Sequence, residues 1–379
     1  MRYFKQYVSN TCAGSANQFF FSGDGECATS ARAFYKINVG GEFDYSFLFS
    51  NIIDSTYSNG AQSHANLVCD EWQIISARVG KSKFSLLHTN IAAMTLSDEN
   101  EGVDTDITVY EMSPLSFGGN ASRTVAPGEF FSTDPIRLKF DKGDYLCIEI
   151  TFSGDMIPYH EESLLPIYVK DNDGWHYSRR MPLPSMIGCT RPVKARIAYL
   201  GDSITQGIGA PHNSYLHWSA RLSDMLGDEY SYWNLGIGYG RASDAASDGA
   251  WLYKAKQCDI IFVCYGTNDI LQGHSEEKIK QDISTITDKL KALGKTVILQ
   301  TLPPFNYTGD NKEKWLRINE FIKSSLSEHA DLVFDTVPFL SDKSDEAIAI
   351  FGDHPNAEGS AAWAEGLFSA VSDIIHSKG

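Results

Sequence analysis

Along residues 1 to about 180, short runs rich in Phe, Tyr, Val, Ile and Thr alternate with turn clusters: AFYKINVGGEFDYSFLFSN, ITVYEMSPLSFGGN and IRLKFDKGDYLCIEITFSGD. No helix-length segment of this half keeps a clean 3.6-residue period, so its apolar positions predict strands. Short strands separated by Gly, Asn and Asp turns predict a β-sandwich, jelly-roll-like in form. Asp141-Lys142-Gly143-Asp144 separates two alternating runs and predicts a hairpin. The segment Met181–Lys194 (MPLPSMIGCTRPVK) holds three prolines without periodicity. It reads as a linker over 181–194, with a long loop or an edge strand as alternatives.

From residue 195 to 379 the pattern changes to strands alternating with amphipathic helices. Strands are predicted at Arg196–Leu200, Tyr230–Leu235, Asp259–Tyr265, Thr296–Thr301 and Leu332–Asp335. Helices are predicted at Tyr215–Leu226, Ser275–Leu293, Lys312–Glu328 and Ala357–His376, and a turn at LPPF, residues 302–305. Such alternation implies a parallel sheet covered on both faces, with functional loops at the carboxyl ends of its strands.

Composition narrows the function. Hydrophobic residues make up 42% and charged residues 21%, as in a soluble globular protein. The net charge of −16, with no basic block, argues against nucleic acid and anionic membrane surfaces as partners. The longest apolar runs are strand-sized, far short of the roughly 20 residues of a membrane span. The opening MRYFKQYVSN has no signal-peptide core, so the expected location is cytoplasmic. The seven cysteines form no CxxC pair and read as thiols of a reducing compartment. The sequons at Asn120 and Asn306, lacking an export signal, are expected to stay unmodified.

Four segments at strand ends carry chemistry: Gly201-Asp202-Ser203-Ile204-Thr205; the loop Asn234-Leu235-Gly236-Ile237-Gly238-Tyr239-Gly240-Arg241; Gly266-Thr267-Asn268-Asp269; and Gly352-Asp353-His354-Pro355-Asn356 before the last helix. In order and spacing they resemble the SGNH, or GDSL, hydrolase family over about 185 residues. The resemblance implies a flavodoxin-like three-layer α/β/α domain with Ser203 as nucleophile and His354 as its general base. It also implies an oxyanion hole made by the Ser203 N–H, a glycine N–H of the second loop and the Asn268 amide. The family places that glycine about five residues after the loop's Asn, where this chain has Tyr239. Gly240 is preferred because Arg241-Ala242-Ser243 follows it, as in some sugar-deacetylating members, and Gly238 is the alternative.

A second departure concerns the acid. The family usually carries Asp three residues before the His, and here that position is Phe351. Asp353 is adjacent to His354, a position from which a side chain turns away from its neighbour's ring, so it stands as an acid or orienter only by an unusual route. Carbohydrate esterase family 2 is similar, since some of its members work with a Ser–His dyad behind an N-terminal β-sandwich. The resemblance implies an esterase removing acetyl groups from a carbohydrate such as acetylated xylan, mannan or oligosaccharides. No metal or organic cofactor is expected, and a homodimer is left open. The rivals are a lysophospholipase or thioesterase, or a carbohydrate-binding protein on an inactive scaffold.

Other features have plainer readings. Ser203 alone would serve as a helix N-cap; Asp202 and Asp269 read as local hydrogen-bond acceptors. His212 and His217 lack a third ligand for zinc. The acidic stretch Asp98–Asp104 does not fit the EF-hand spacing. The Gly236/Gly238/Gly240 loop breaks GxGxxG at Arg241, and neither a Walker loop nor a GxSxG elbow occurs. Trp175, His176 and Tyr177 suit either a sugar-stacking wall or packing, and Trp218 and Trp251 suit the core.

Overall fold

A computed structural model describes residues 2–21, 28–58, 62–83 and 108–377. The stretch Asp98–Asp104 lies outside the described residues. The chain divides into two compact units, Met1–Pro192 with His212–Ser214, and Val193–Pro211 with Tyr215–Gly379.

The first unit is built mostly of strands in antiparallel sheets. One sheet runs Val8–Ser9, Met186–Cys189, Gly41–Ser50, Phe130–Ser132, with Ile136–Phe140 also on Gly41–Ser50. A second, larger sheet runs Trp175–Tyr177, Ile167–Lys170, Thr29–Lys36, Tyr145–Gly154, Trp72–Lys83, Thr108–Pro114, with Arg123–Val125 also on Trp72–Lys83, and two two-stranded sheets pair Phe19–Phe21 with Ile157–Tyr159 and Ile52–Ser58 with Gln62–Val68. Alternation explains the burial: Leu146, Ile148, Ile150 and Phe152 are buried while Glu149 and Thr151 between them are half-exposed. The sheets meet through Trp72 and Phe131, whose rings lie 6.4 Å apart, and the Arg123 guanidinium lies 5.0 Å from the Phe131 ring centre.

Two expectations are corrected here. Asp141–Asp144 does form a tight turn, with Asp144 N donating to Asp141 O and Gly143 at φ 87°. It is not a hairpin, because Ile136–Phe140 pairs with Gly41–Ser50 while Tyr145–Gly154 pairs with Thr29–Lys36 and Trp72–Lys83. Turn chemistry sets the chain reversal, but partners distant in sequence decide which sheet each arm joins. Nor is Met181–Lys194 a free linker. Met186–Cys189 lies between Val8–Ser9 and Gly41–Ser50, and Met181, Leu183 and Ile187 are buried. Its prolines, 182, 184 and 192, bracket this strand, where no ladder N–H is needed.

Tyr177 joins a buried cluster with Phe34, Tyr145, Cys147 and Tyr168, and Trp175 packs against it 4.1 Å from the Arg32 guanidinium. His176 pairs with Asp171 at 2.6 Å on the surface. The six described cysteines are buried free thiols, and burial pushes Cys69 and Cys258 up to about 12.

The second unit contains strands β1 (Ala195–Gly201), β2 (Tyr230–Gly236), β3 (Ile260–Cys264), β4 (Thr296–Gln300) and β5 (Leu332–Phe334). They form one parallel sheet in the order β2-β1-β3-β4-β5, the flavodoxin-like order. β2 and β3 are buried at every position, as a sheet covered on both faces requires. The helices are α1 (Ser203–Gln206), α2 (Trp218–Leu226), α3 (Ala242–Ala246), α4 (Ala250–Ala255), α5 (Thr267–Leu271), α6 (Glu276–Ala292), α7 (Gly309–Ser324), α8 (Val337–Leu340) and α9 (Ala357–His376). α2 packs on α9, where Trp218 and Trp363 stack with ring centres 4.8 Å apart; α6 packs on α3, α7 and β4. Trp218 and Trp251 are core residues.

The helix predicted from Tyr215 starts three residues later. Tyr215 has φ 55°, and extended His217 caps the helix by accepting Ala220 N. α7 starts earlier than its periodicity predicts, at Gly309. Among the described residues no helix is long and apolar enough to cross a membrane.

Candidate active site

The buried strand β1 ends at Gly201, and the chain turns at once into α1. Asp202 provides the N-cap, its Oδ1 accepting from Ile204 N at 3.0 Å. Ser203 is therefore the first helical residue and its hydroxyl is not used for capping. It lies 2.9 Å from His354 Nε2. Burial pushes the Asp202 carboxyl up to about 7, the nearby Asp269 charge adding to the effect against the Ile204 N–H.

His354 stands in the loop before α9, whose N-cap Asn356 accepts from Glu358 N and Gly359 N. Loss of hydration pushes its pKa down to about 4, with Asp353 opposing. The ring is neutral at pH 7, and in its Nδ1–H tautomer Nε2 is the acceptor for the Ser203 hydroxyl. Among the described residues no acceptor bonds to Nδ1. The Asp353 carboxylate accepts from Asn306 Nδ2 and makes no hydrogen bond to the ring. Phe351, where the family has its acid, lies where a Cβ on Gly359 would meet its ring.

The second and third blocks meet beside each other. Asn268, in the first turn of α5, is buried and donates one Nδ2 hydrogen to Gly240 O at 3.0 Å, leaving its second amide hydrogen. Gly240 N donates to Ile237 O at 3.1 Å and so closes a β-turn over Ile237–Gly240. This corrects the preference for Gly240, whose N–H is consumed by the turn. Gly238, buried at the second position of that turn, keeps its N–H outside the closing bond. Tyr239 follows it at φ 61°, a turn position that favours Gly or Asn.

The remaining polar residues brace this frame. Asp269 is fully buried, accepts from Ala242 N at 2.8 Å and pairs with His274 at 3.2 Å, which raises the His274 pKa. Asn234 donates to Thr205 O and Gln206 O and accepts from Gly236 N. Gly236 is required by close approach: a Cβ there would stand 2.6 Å from Gln206 Cα in α1. His217 caps α2, and burial pushes it down to about 4. His212 belongs to the first unit, 3.4 Å from the Tyr177 hydroxyl. Among the described residues no group of three His, Cys, Asp or Glu is placed to hold a metal.

Phe305 and Asn306 were not foreseen as site residues. The Phe305 ring stands edge-on to His354 at 5.2 Å, and Asn306 reaches the loop that carries it. The LPPF turn after β4 was the one signal for Phe305, and Asn306 stood out only as a sequon.

With this geometry in view, the comparisons with known proteins bear on the second unit. Residues 199–362 match the GDSL-like lipase/acylhydrolase family. Among solved structures, a member of the lipolytic protein G-D-S-L family from Veillonella parvula is similar at 22% identity, over 46% of this chain and 96% of its own, with TM-score 0.38. The psychrotrophic esterase EstA from Pseudoalteromonas sp. is similar at 18% identity, over 48% of this chain and 98% of its own, with TM-score 0.39. Est24, a carbohydrate acetylesterase from Sinorhizobium meliloti, is similar at 17% identity, over 48% and 98%, with TM-score 0.39. No curated protein matches the chain. The family match lies within the second unit, whose parallel sheet and helices thus carry a GDSL-type lipase/acylhydrolase domain.

Proposed function

We propose that this protein is a serine esterase that removes acetyl groups from hydroxyls of a carbohydrate, with Ser203 as nucleophile and His354 as general base. The observation that carries the dyad is the 2.9 Å contact between Ser203 Oγ and His354 Nε2, on a ring that burial keeps neutral. A hydroxyl is a weak nucleophile at neutral pH, and a neutral imidazole in hydrogen-bond reach activates it. Oγ attacks the ester carbonyl carbon while its proton passes to Nε2. The oxyanion is met by the Ser203 N–H, the Gly238 N–H and the second amide hydrogen of Asn268. One such donor contributes about 10² to 10³ in rate. As the tetrahedral intermediate collapses, His354 returns the proton to the departing sugar oxygen, leaving acetyl-Ser203. Water, deprotonated by the same ring, then releases acetate.

The acetyl and carbohydrate parts rest on the resemblance to carbohydrate esterase family 2, in domain order and in the missing acid three residues before His354. We take the first unit as a jelly-roll-like accessory domain that contacts carbohydrate. Acetate release from acetylated xylan, mannan and small sugars tests the reading, with Ser203→Ala as control. The expected result is release that the variant lowers to a few percent or less. Faster turnover of nitrophenyl octanoate than of nitrophenyl acetate would move the substrate to longer acyl chains. Failure of the wild type to react with a fluorophosphonate would remove the dyad altogether.

A further inference from the structure

His354 carries the proton in the proposed dyad, and among the described residues no carboxylate holds its Nδ1. We propose that the segment following β4, through Phe305 and Asn306, positions His354 in the place of an acid. The inference rests on the Ser203–His354 reading.

The segment is anchored at both ends. Leu302 N donates to Asn319 Oδ1 at 2.8 Å, and Leu302 O accepts from Asn319 Nδ2 and Trp315 Nε1, both at 2.9 Å. Tyr307, fully buried, stacks on Trp315 with ring centres 5.8 Å apart. Pro303 and Pro304 stiffen the chain between these anchors. What this rigid segment presents is Phe305 toward the imidazole and Asn306 toward the loop before it. Asn306 has φ 54°, a left-handed conformation that Asn tolerates better than most residues. From there its Oδ1 accepts from Ala349 N at 3.0 Å and its Nδ2 donates to the Asp353 carboxylate. One side chain thus ties both ends of residues 349–353, which lead directly into His354.

The ring is enclosed from other sides as well. Phe305 meets it edge-on at 77°. Gly209, at φ 99°, lies so close that a Cβ would stand 2.7 Å from His354 O and 2.8 Å from His354 Cβ. Ser203, Phe305 and Gly209 bring no charge to the ring, so Asp353, from its own loop, is the charged group that faces it. Exposed hydrogen bonds of this kind add little to folding stability. Placement of a catalytic group is more demanding, because a shift of about 1 Å can cost 10²-fold in rate. Asn306 and Phe305 are therefore positioning residues.

The test uses the full chain and three variants: Asn306→Gly, which keeps the left-handed backbone but deletes both bonds, Asn306→Ala and Phe305→Leu. Two rates are read, nitrophenyl acetate hydrolysis and phosphonylation of Ser203 by a fluorophosphonate, together with the His354 titration by NMR. Asn306→Gly and Asn306→Ala should each lower both rates about tenfold with KM changed less than about twofold. Phe305→Leu should move the His354 titration up from about 4 toward the ordinary value, as water reaches the ring. Asn306→Gly with wild-type rates, or an unmoved titration in Phe305→Leu, overturns the proposal. If Asn306→Gly does not fold, Asn306→Asp retains the acceptor for Ala349 N, loses the donor to Asp353, and gives the same comparison. A wild type that is phosphonylated but inert to acetyl esters counts against the substrate reading, while the phosphonylation rates still decide the clamp. A wild type inert to both overturns the dyad and the clamp together.

Discussion

Ser203 and His354 are 151 positions apart and hydrogen-bonded. Their pairing was legible from the resemblance, which takes Ser203 from the block that follows β1 and His354 from the block just before α9. Asn268 was legible for the same reason, but the finer placements were not. Whether the Gly240 N–H is available depends on the turn bond to Ile237, and the loop's length alone does not reveal it. Asp353 is turned to Asn306, which lies 47 positions away and to which nothing in the GDH block points. At this scale, Asn268→Ala should lower kcat by about 10² with a smaller change in KM, because in the proposed mechanism its amide meets charge that develops in the transition state. An effect confined to KM would make Asn268 a substrate-binding residue. Asp353→Asn should cost about tenfold or less, against the roughly 10⁴ seen when a triad acid is neutralised. Single-turnover acylation rates separate the two cases.

Elements were most legible where burial is periodic. The amphipathic α6 matches its prediction because Ile279, Ile283, Ile286 and Leu290 fall on one face and Ser275 caps it. The short helices α1, α3, α4, α5 and α8 escaped notice, since four to six residues carry no period to read. In the first unit, strands were visible while their pairing was not, as the arch at Asp141–Asp144 demonstrates. The contact between the end of β2 and α1 is where element packing bears on catalysis. A Cβ at Gly236 would run into the backbone of Gln206, so α1 or the second loop must move. Gly236→Ala should therefore lower both turnover, by tenfold or more on the order of a 1 Å displacement of Ser203, and the thermal midpoint. Full activity in a folded variant would mean that α1 is not held against β2 as described.

For the whole molecule, acid is where buried histidines matter. His217 is 3% exposed, its ring pushed down to about 4 mainly by burial, with the Arg221 charge adding. Its Nδ1 accepts from Ala220 N at the cap of α2, and a proton there would set a donor against a donor. Between about pH 6.5 and 4 the unfolded chain binds a proton at His217 that the native state does not, so this residue makes stability fall as pH falls. The full effect is about 3 kcal/mol, from a shift near 2.5 units at about 1.4 kcal/mol each. Asp202, raised to about 7, and Glu162, also raised by burial, act in the opposite sense, because their native forms hold protons that the unfolded chain releases as pH rises above about 4. A single stability curve therefore mixes signs, whereas the difference between wild type and His217→Asn isolates one group, since Asn caps a helix without titrating. Urea unfolding at pH 7 and pH 4 should show the wild type losing about 3 kcal/mol relative to that variant. Parallel curves would mean that His217 is hydrated enough to take its proton without opening the fold.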